Sequence, residues 1–520
     1  MRKFPEWLKT AVFYEVYPQS FLDANGDGIG DLNGIIEKLD YIRELGCDAL
    51  WLNPCFDSPF GDAGYDVADY CRIAPRYGTN EDARRLFDEA HRRGMHVIFD
   101  LVPGHTSVEH PWFKKSCSPE HNDFSDRYIW TDTVWNSPEI EHISGWLRGV
   151  CDRDGSCGVN FFSNQPALNY GFYRRDEAWQ QGMDDPAPLA TGKAMEEVVR
   201  FWLDMGCDGF RVDMASSLIK NDPEHVGILK FWNRFFDHLR DDYPEAAFVA
   251  EWGDPYYSLQ AGYDMDFLLH FGPSHYMDLF RTNPYFSADG DGDLTEFVRV
   301  YEENLAKTDG RGLMCIPTGN HDMARLSHKL TDAEQRLAFA FILSMPGAPF
   351  IYYGDEIGMR YLEGLTSVEG GYFRTGSRSP MQWDASEKAG FSTADPADFY
   401  IRLDEAQNRP NVADAMADPG SLWWQVHDLI ALRRNHSALG VLGKVHFLVT
   451  GTANAPLVYL RSDGTEQILV AINPSREERR VQIPVTEGRI LYSVGALDGC
   501  LTGGMLTVPA GSACFYILEE

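Results

Sequence analysis

"KLDYIRELGCDALWL", Lys38 to Leu52, decides how the rest of the chain is read. Leu39, Ile42 and Leu45 recur at the spacing of one helix face, Gly46 ends the helix, and the apolar run after it is a short strand. The same plan returns in "LFDEAHRRGMHVIFDL" (Leu86 to Leu101) and in "VVRFWLDMGCDGFRV" (Val198 to Val212). Helices that alternate with short apolar strands predict a parallel sheet, because each strand then needs a crossover to its neighbour. Further strand-like runs end in polar residues at "AAFVAEW" (Ala246 to Trp252), "LMCIPTGNHD" (Leu313 to Asp322) and "PFIYYGDE" (Pro349 to Glu356). Strands are expected at Val12, Ala49, Val97, Gly209, Phe248, Met314 and Phe350, with a further one near Asp266. Eight such units close into a (β/α)8 TIM barrel with its chemistry at the C-terminal strand ends.

Outward from these units the periodicity changes. The polar stretch 103–171, rich in Trp, Asn, Ser and His, is too long for a barrel loop and reads as an inserted subdomain after the third strand. Residues 1–102 and 172–440 are assigned to the barrel, with a second irregular insert after Gly354. From 441 to 520, short alternating strands separated by "TANAP", "SDGTE", "NPSRE", "LDGC" and "PAGS" predict a C-terminal antiparallel β-sandwich domain.

A formal net charge of −32 argues against a nucleic-acid partner or an anionic membrane surface. The start, "MRKFPEWLKTAVFYEV", has no apolar run of signal-peptide type, and no stretch is long and apolar enough to span a bilayer, so a cytoplasmic protein is expected. The 10 cysteines lack close metal spacing; Cys47, Cys207 and Cys315 sit in or beside strand-like runs and read as buried, reduced thiols.

One loop invites a cation. In "DANGDGIGDLNG", Asp23, Asn25 and Asp27 take positions one, three and five of an EF-hand-like loop, Gly28 six, the Ile29 carbonyl seven and Asp31 nine. Position twelve holds Gly34 instead of a bidentate Glu, and the segment before the loop reads as a strand. One hard divalent ion or an Asx-rich turn both fit.

At the strand ends lie Asp100 with His105, Arg211 with Asp213, Glu251, and His321 with Asp322. Two carboxyl groups on one site hydrolyse a glycosidic bond when one attacks the anomeric carbon and the other protonates the leaving oxygen. Arg211, two residues before Asp213, shares its strand face and keeps that carboxylate oriented. Apolar and aromatic neighbours of Glu251 favour its protonated form.

These residues stand in "GYDVADY", "DLVPGHTS", "QPALN", "GFRVDMA", "AEW", "GNHD" and "GAPFIYYGDEIG", a set whose content and order resemble the α-amylase superfamily of glycoside hydrolases. The resemblance implies Asp213 as nucleophile, Glu251 as general acid and base, and Asp322 as the third carboxylate, gripping sugar hydroxyls. It further implies hydroxyl contacts from His105 and His321, and a platform and clamp for the terminal glucose from Tyr65 and Asp66. The 23–31 loop resembles the structural calcium or magnesium site of the oligo-1,6-glucosidase and α-glucosidase branch; Gly104, where secreted amylases carry Asn, implies that their calcium site is absent. No organic cofactor is implied.

"SRSPMQWD" with "AGFS", and then "RPNVADAMADPGSLWWQVHDLIALRRNHSALG", resemble exo-acting α-glucosidases and trehalose synthases more than starch-cutting amylases. By that context Arg409 in "NRPNV" is expected to pair with Asp66 and close the pocket behind the terminal sugar, with a small oligosaccharide as the substrate. Met214 leaves linkage preference open, and Ser216 with Ser217 replace a Lys-His pair on the leaving-group side. Glucosyl transfer of the trehalose synthase type and internal starch cleavage stand as alternatives, and a non-catalytic transporter-chain relative is disfavoured by the three retained acids. Oligomeric state is left open.

Overall fold

The computed structural model describes residues 4–496 and 499–518; Leu497 and Asp498 of the "LDGC" turn, and Met1 to Lys3 of the N-terminal reading, lie outside the described residues. Eight parallel strands build the central sheet: β1 (Phe13–Val16), β2 (Ala49–Leu52), β3 (His96–Leu101), β4 (Gly209–Val212), β5 (Ala247–Ala250), β6 (Met265–Phe267), β7 (Leu313–Cys315) and β8 (Phe350–Tyr352). They run in the order β7-β6-β5-β4-β3-β2-β1-β8, and a parallel bridge between Pro317 and Phe350 joins the two ends. This is the expected (β/α)8 barrel, its sixth strand centred on Asp266.

The three helix-to-strand units fold as the sequence implies. Helix α1 (Leu39–Leu45) ends at Gly46, whose φ of 107° places it in the left-handed region where a side chain would be strained. Helix α2 (Asn80–Arg92) starts in a Thr79/Asp82 capping box that satisfies two of its free N–H groups. Helix α3 (Pro186–Met205) ends at Gly206, with φ 113°.

The barrel interior is stratified. Trp51 of β2 stacks on Phe267 of β6 across the lumen at 5.4 Å between ring centres, and Phe350 packs edge-on to both. The Arg211 guanidinium stands 5.3 Å above the Trp51 ring, so a charged layer lies over the aromatic one. At the opposite end the aspartate just before a strand accepts an N–H from the neighbouring strand: Asp48 from Val12 at 2.8 Å, Asp208 from Val97 at 2.8 Å and Asp264 from Phe248 at 2.9 Å.

Between β3 and α3 the chain forms a small antiparallel pair, Gly145–Arg148 with Ser156–Val159, tied back by a bridge between His105 and Ala167. After β8 it runs through short 3-10 turns, including Tyr372–Ser377, pinned to the barrel where the hydroxyls of Tyr352 and Tyr353 donate to the carbonyls of Ser377 and Ser379. The C-terminal strands are β9 (Lys444–Val449), β10 (Leu457–Ser462), β11 (Gln467–Asn473), β12 (Arg479–Gln482), β13 (Arg489–Val494), β14 (Cys500–Thr502), β15 (Met505–Val508) and β16 (Ser512–Ile517). A five-stranded sheet, β9-β10-β11-β16-β13, faces a three-stranded one, β12-β15-β14, over Val458, Leu469, Leu506 and Val508. No helix among the described residues is long and apolar enough to cross a membrane.

Candidate active site

A cavity of about 540 Å³ opens at the C-terminal end of the barrel. Its polar lining includes Asp62, Tyr65, His105, Asp213, Glu251, Asp322 and Arg374, and its aromatic lining Phe161, Phe162, Phe271, Tyr372 and Phe373.

Arg211 organises one side. Its Nη1 lies 2.8 Å from Asp100 and 2.8 Å from Asp213, and its Nη2 2.6 Å from Glu251, so one guanidinium serves three carboxylates. Two-residue spacing along β4 puts Arg211 and Asp213 on one face, and parallel register sets Asp100 of β3 beside Arg211. Glu251 also accepts the Met214 N–H at 3.0 Å. Burial raises Asp213 to about 7 against the pull of Arg211, and it raises Glu251 to about 7 in the same way. Burial thus brings both carboxyls into the range where a proton exchanges near neutral pH.

Asp322 lives differently. Its Oδ1 accepts from Arg374 at 2.7 Å and from Arg378 at 3.0 Å, and its Oδ2 lies 3.2 Å from His321. Burial pushes its pKa up, but His321, then Arg378 and Arg374, outweigh that and hold it well below the usual carboxylate range. His321 is buried too, yet Asp322 and then Glu15, 2.9 Å from its Nδ1, raise it to about 9. Tyr65 joins the two sides, its hydroxyl 2.6 Å from His321 Nε2 and 3.1 Å from Asp100. His105 meets the Tyr65 carbonyl at 3.0 Å and Asn160 at 3.1 Å; burial lowers it to about 4, so it serves as a neutral hydrogen-bonding group.

The expected pairing of Asp66 with Arg409 does not form. Asp66 is spent on its own loop: it accepts from Gly61 N at 2.8 Å, Asp62 N at 3.0 Å, Ser58 at 3.0 Å and Asn164 at 3.2 Å. Arg409 donates to the carbonyls of Asp404, Ser386 and Glu387, and neither residue lines the cavity. The carboxylate and arginine that do meet at the cavity are Asp62 and Arg374, 3.7 Å apart. Gln165 of "QPALN" holds the other Asp62 oxygen at 2.8 Å, and burial raises Asp62 to about 6. Asp66 is thus a positioning residue, folding the turn that presents Asp62 and Tyr65. Asp62 stands three residues before Tyr65 of "GYDVADY", and Arg374 four before Arg378 of "SRSPMQWD", so each lies just outside a recognisable motif.

In the 23–31 loop the carboxylate and amide side chains accept backbone N–H groups: Asp23 from Gly26 at 2.6 Å and Gly28 at 2.7 Å, Asn25 from Asp27 at 3.0 Å, Asp27 from Ile29 at 2.9 Å, and Asp31 from Gly34 at 2.8 Å. Ser392 donates to Asp23 and fastens the loop to the segment after β8. The donor atoms are all oxygen, as a hard cation requires. Among the described residues, the group of three His, Cys, Asp or Glu ligand atoms lying within 4.8 Å of one another is elsewhere, at His91, His96 and Asp208.

Comparison with known proteins agrees with this geometry. Residues 15–441 match the family model of the alpha amylase catalytic domain. The chain is 32% identical to a glucan 1,6-alpha-glucosidase of Streptococcus pneumoniae over 93% of its own length and 94% of the relative's. It is also 32% identical to a trehalose synthase/amylase of Mycolicibacterium smegmatis, over 92% of this chain and 86% of that one. Among solved structures, the trehalulose synthase of Pseudomonas mesoacidophila superposes with a TM-score of 0.84 at 27% identity, covering 99% of both chains.

Proposed function

The chain belongs to the alpha-amylase family of glycoside hydrolases, and from that premise we propose that it is a retaining, exo-acting α-glucosidase that removes single glucose units from the non-reducing ends of short α-glucosides. The observation that carries this reading is the Arg374 bridge. It is bonded to Asp322 at 2.7 Å and faces Asp62 at 3.7 Å, and in this reading it closes the cavity behind the sugar that these groups would hold.

In this reading Asp213 attacks the anomeric carbon while Glu251 gives its proton to the leaving oxygen; water then attacks the glucosyl-enzyme and Glu251 takes the proton back. Asp322, held anionic, grips two hydroxyls and favours the flattened ring of the transition state. His105, His321, Tyr65 and Asp62 complete the glucose contacts. We assign a structural calcium or magnesium ion to Asp23, Asn25, Asp27, the Ile29 carbonyl and Asp31, away from the chemistry, and a cytoplasmic setting to the protein.

A second reading, glucosyl transfer, is favoured by one feature. The cavity mouth is aromatic, and Ser216 and Ser217 add no charge there, so an acceptor packed on these rings competes well with water. Timed product analysis on maltose, isomaltose, sucrose, trehalose and a longer maltooligosaccharide separates the readings. Glucose from the first time point supports exo hydrolysis; isomeric disaccharides without glucose support transfer; a spread of internal fragments refutes the closed pocket.

A further inference from the structure

At the base of the barrel, opposite the cavity, the three strand-initiating aspartates are not alike. Asp48 pairs with Arg434 at 2.7 Å and Asp264 with Arg240 at 2.9 Å. At Asp208 two imidazoles stand in that place. His91, from the last turn of α2, sets Nε2 2.8 Å from one Asp208 oxygen; His96, the first residue of β3, sets Nδ1 3.0 Å from the other. All three ligand atoms lie within 4.8 Å of one another. An arginine in this position can only donate hydrogen bonds, whereas two imidazoles and a carboxylate are a ligand set.

The cluster is both held and open. Asp208 is anchored by the Val97 N–H at 2.8 Å, and the His96 ring is stacked on Trp7 with centres 4.3 Å apart and planes 14° from parallel. Side-chain exposures of 40% for His91, 30% for His96 and 16% for Asp208 leave a path from solvent.

We propose that His91 Nε2, His96 Nδ1 and an Asp208 carboxylate oxygen bind a zinc-class divalent ion at the base of the barrel. Two nitrogens and one oxygen match zinc's preference for four-coordinate N/O sites, with water in the fourth position. The ion replaces the protons now shared between imidazole and carboxylate, and it clips the end of α2 to the starts of β3 and β4. Its effect is on stability, because the reacting groups lie at the other end of the strands. Nickel and copper suit the same ligands; calcium and magnesium, which want oxygen, do not.

The test uses the full chain, stripped with chelator and then titrated with zinc chloride in excess calcium and magnesium so that the 23–31 loop is not the reporter. Calorimetric titration should find one equivalent, with a rise in Tm and activity changed less than twofold. Losing a residue that merely orients a ligand costs about 10–100-fold in affinity, so His96→Gln or His91→Gln should weaken zinc at least tenfold and abolish the Tm response. Cobalt should give the visible bands of a four-coordinate site in the wild type and not in either variant. Should a variant fold poorly, the wild-type cobalt spectrum and stoichiometry decide alone. One-equivalent binding that both substitutions leave unchanged, or wild-type binding no tighter than that of His96→Gln, overturns the proposal.

Discussion

The two sides of the cavity treat their carboxylates in opposite ways. On one, three acids, Asp100, Asp213 and Glu251, share the single guanidinium of Arg211. On the other, one acid, Asp322, is surrounded by Arg374, Arg378 and His321. Several carboxylates on one cation leave protons that exchange near neutral pH; several cationic partners on one carboxylate fix its charge. In the proposed mechanism, chemistry that moves a proton and chemistry that needs a constant anion are thus separated by about the reach of Tyr65, which touches both sides.

The strongest way to break this contrast is at the titrating side. Asp213→Asn keeps the shape and removes the attacking charge, and turnover should fall by roughly 10⁴-fold or more. A variant within tenfold of wild type would show that the nucleophile lies elsewhere. Glu251→Gln should cost about 10³-fold on natural glucosides and far less on an aryl glucoside whose leaving group needs no proton. With Asp213 and Glu251 both raised to about 7, the wild-type profile should be a bell centred near neutrality. Its acid limb is Asp213 gaining a proton and its alkaline limb Glu251 losing one, so Glu251→Gln should erase the alkaline limb alone. Persistence of that limb would transfer the acid's role to another group.

At the fixed side, Arg374→Ala removes charge-assisted bonds worth about 1.5–3 kcal/mol each, so kcat/KM on disaccharides should drop about 100-fold, with longer chains suffering less as the pocket opens. Arg409→Ala should leave KM within twofold; an Arg409 effect as large as that of Arg374 would restore its pairing with Asp66. Smallest of all, chelation should lower Tm while mild-temperature activity holds, since an ion bound only by the folded 23–31 loop acts through stability. Unchanged Tm and metal content would reduce that loop to a turn.

Much of this was legible in the chain because the barrel repeats a local rule. Helix, glycine, apolar strand is written three times in nearly the same letters, and the acids at strand tips follow from the fold. The Asp62–Arg374 pair was not legible for a physical reason. Asp62 and Asp66 lie four residues apart in one turn, and only the folded loop decides which carboxylate accepts backbone N–H groups and which faces the cavity. Arg374 sits in an irregular turn whose approach to Asp322 depends on tyrosines at the end of β8 holding the neighbouring carbonyls. The cluster at the barrel base escaped for a related cause, since Asp208 stands 112 residues from His96 and no spacing rule joins them.

The turn Tyr372–Ser377 carries two kinds of residue at once. Tyr372 and Phe373, 61% and 68% exposed, present their rings at the cavity mouth, and the next residue, Arg374, reaches inward to Asp322. Entrance and floor are therefore consecutive links of one short piece of backbone. If the proposed function holds, a phenol or alcohol that moves the turn from the ring side would also move Arg374, and by reciprocity a bound glucose would alter the rings' affinity for that visitor. Donor and acceptor sites would then be coupled, and the choice between water and a second sugar would be open to tuning from the outer edge of the pocket without touching a single reacting group.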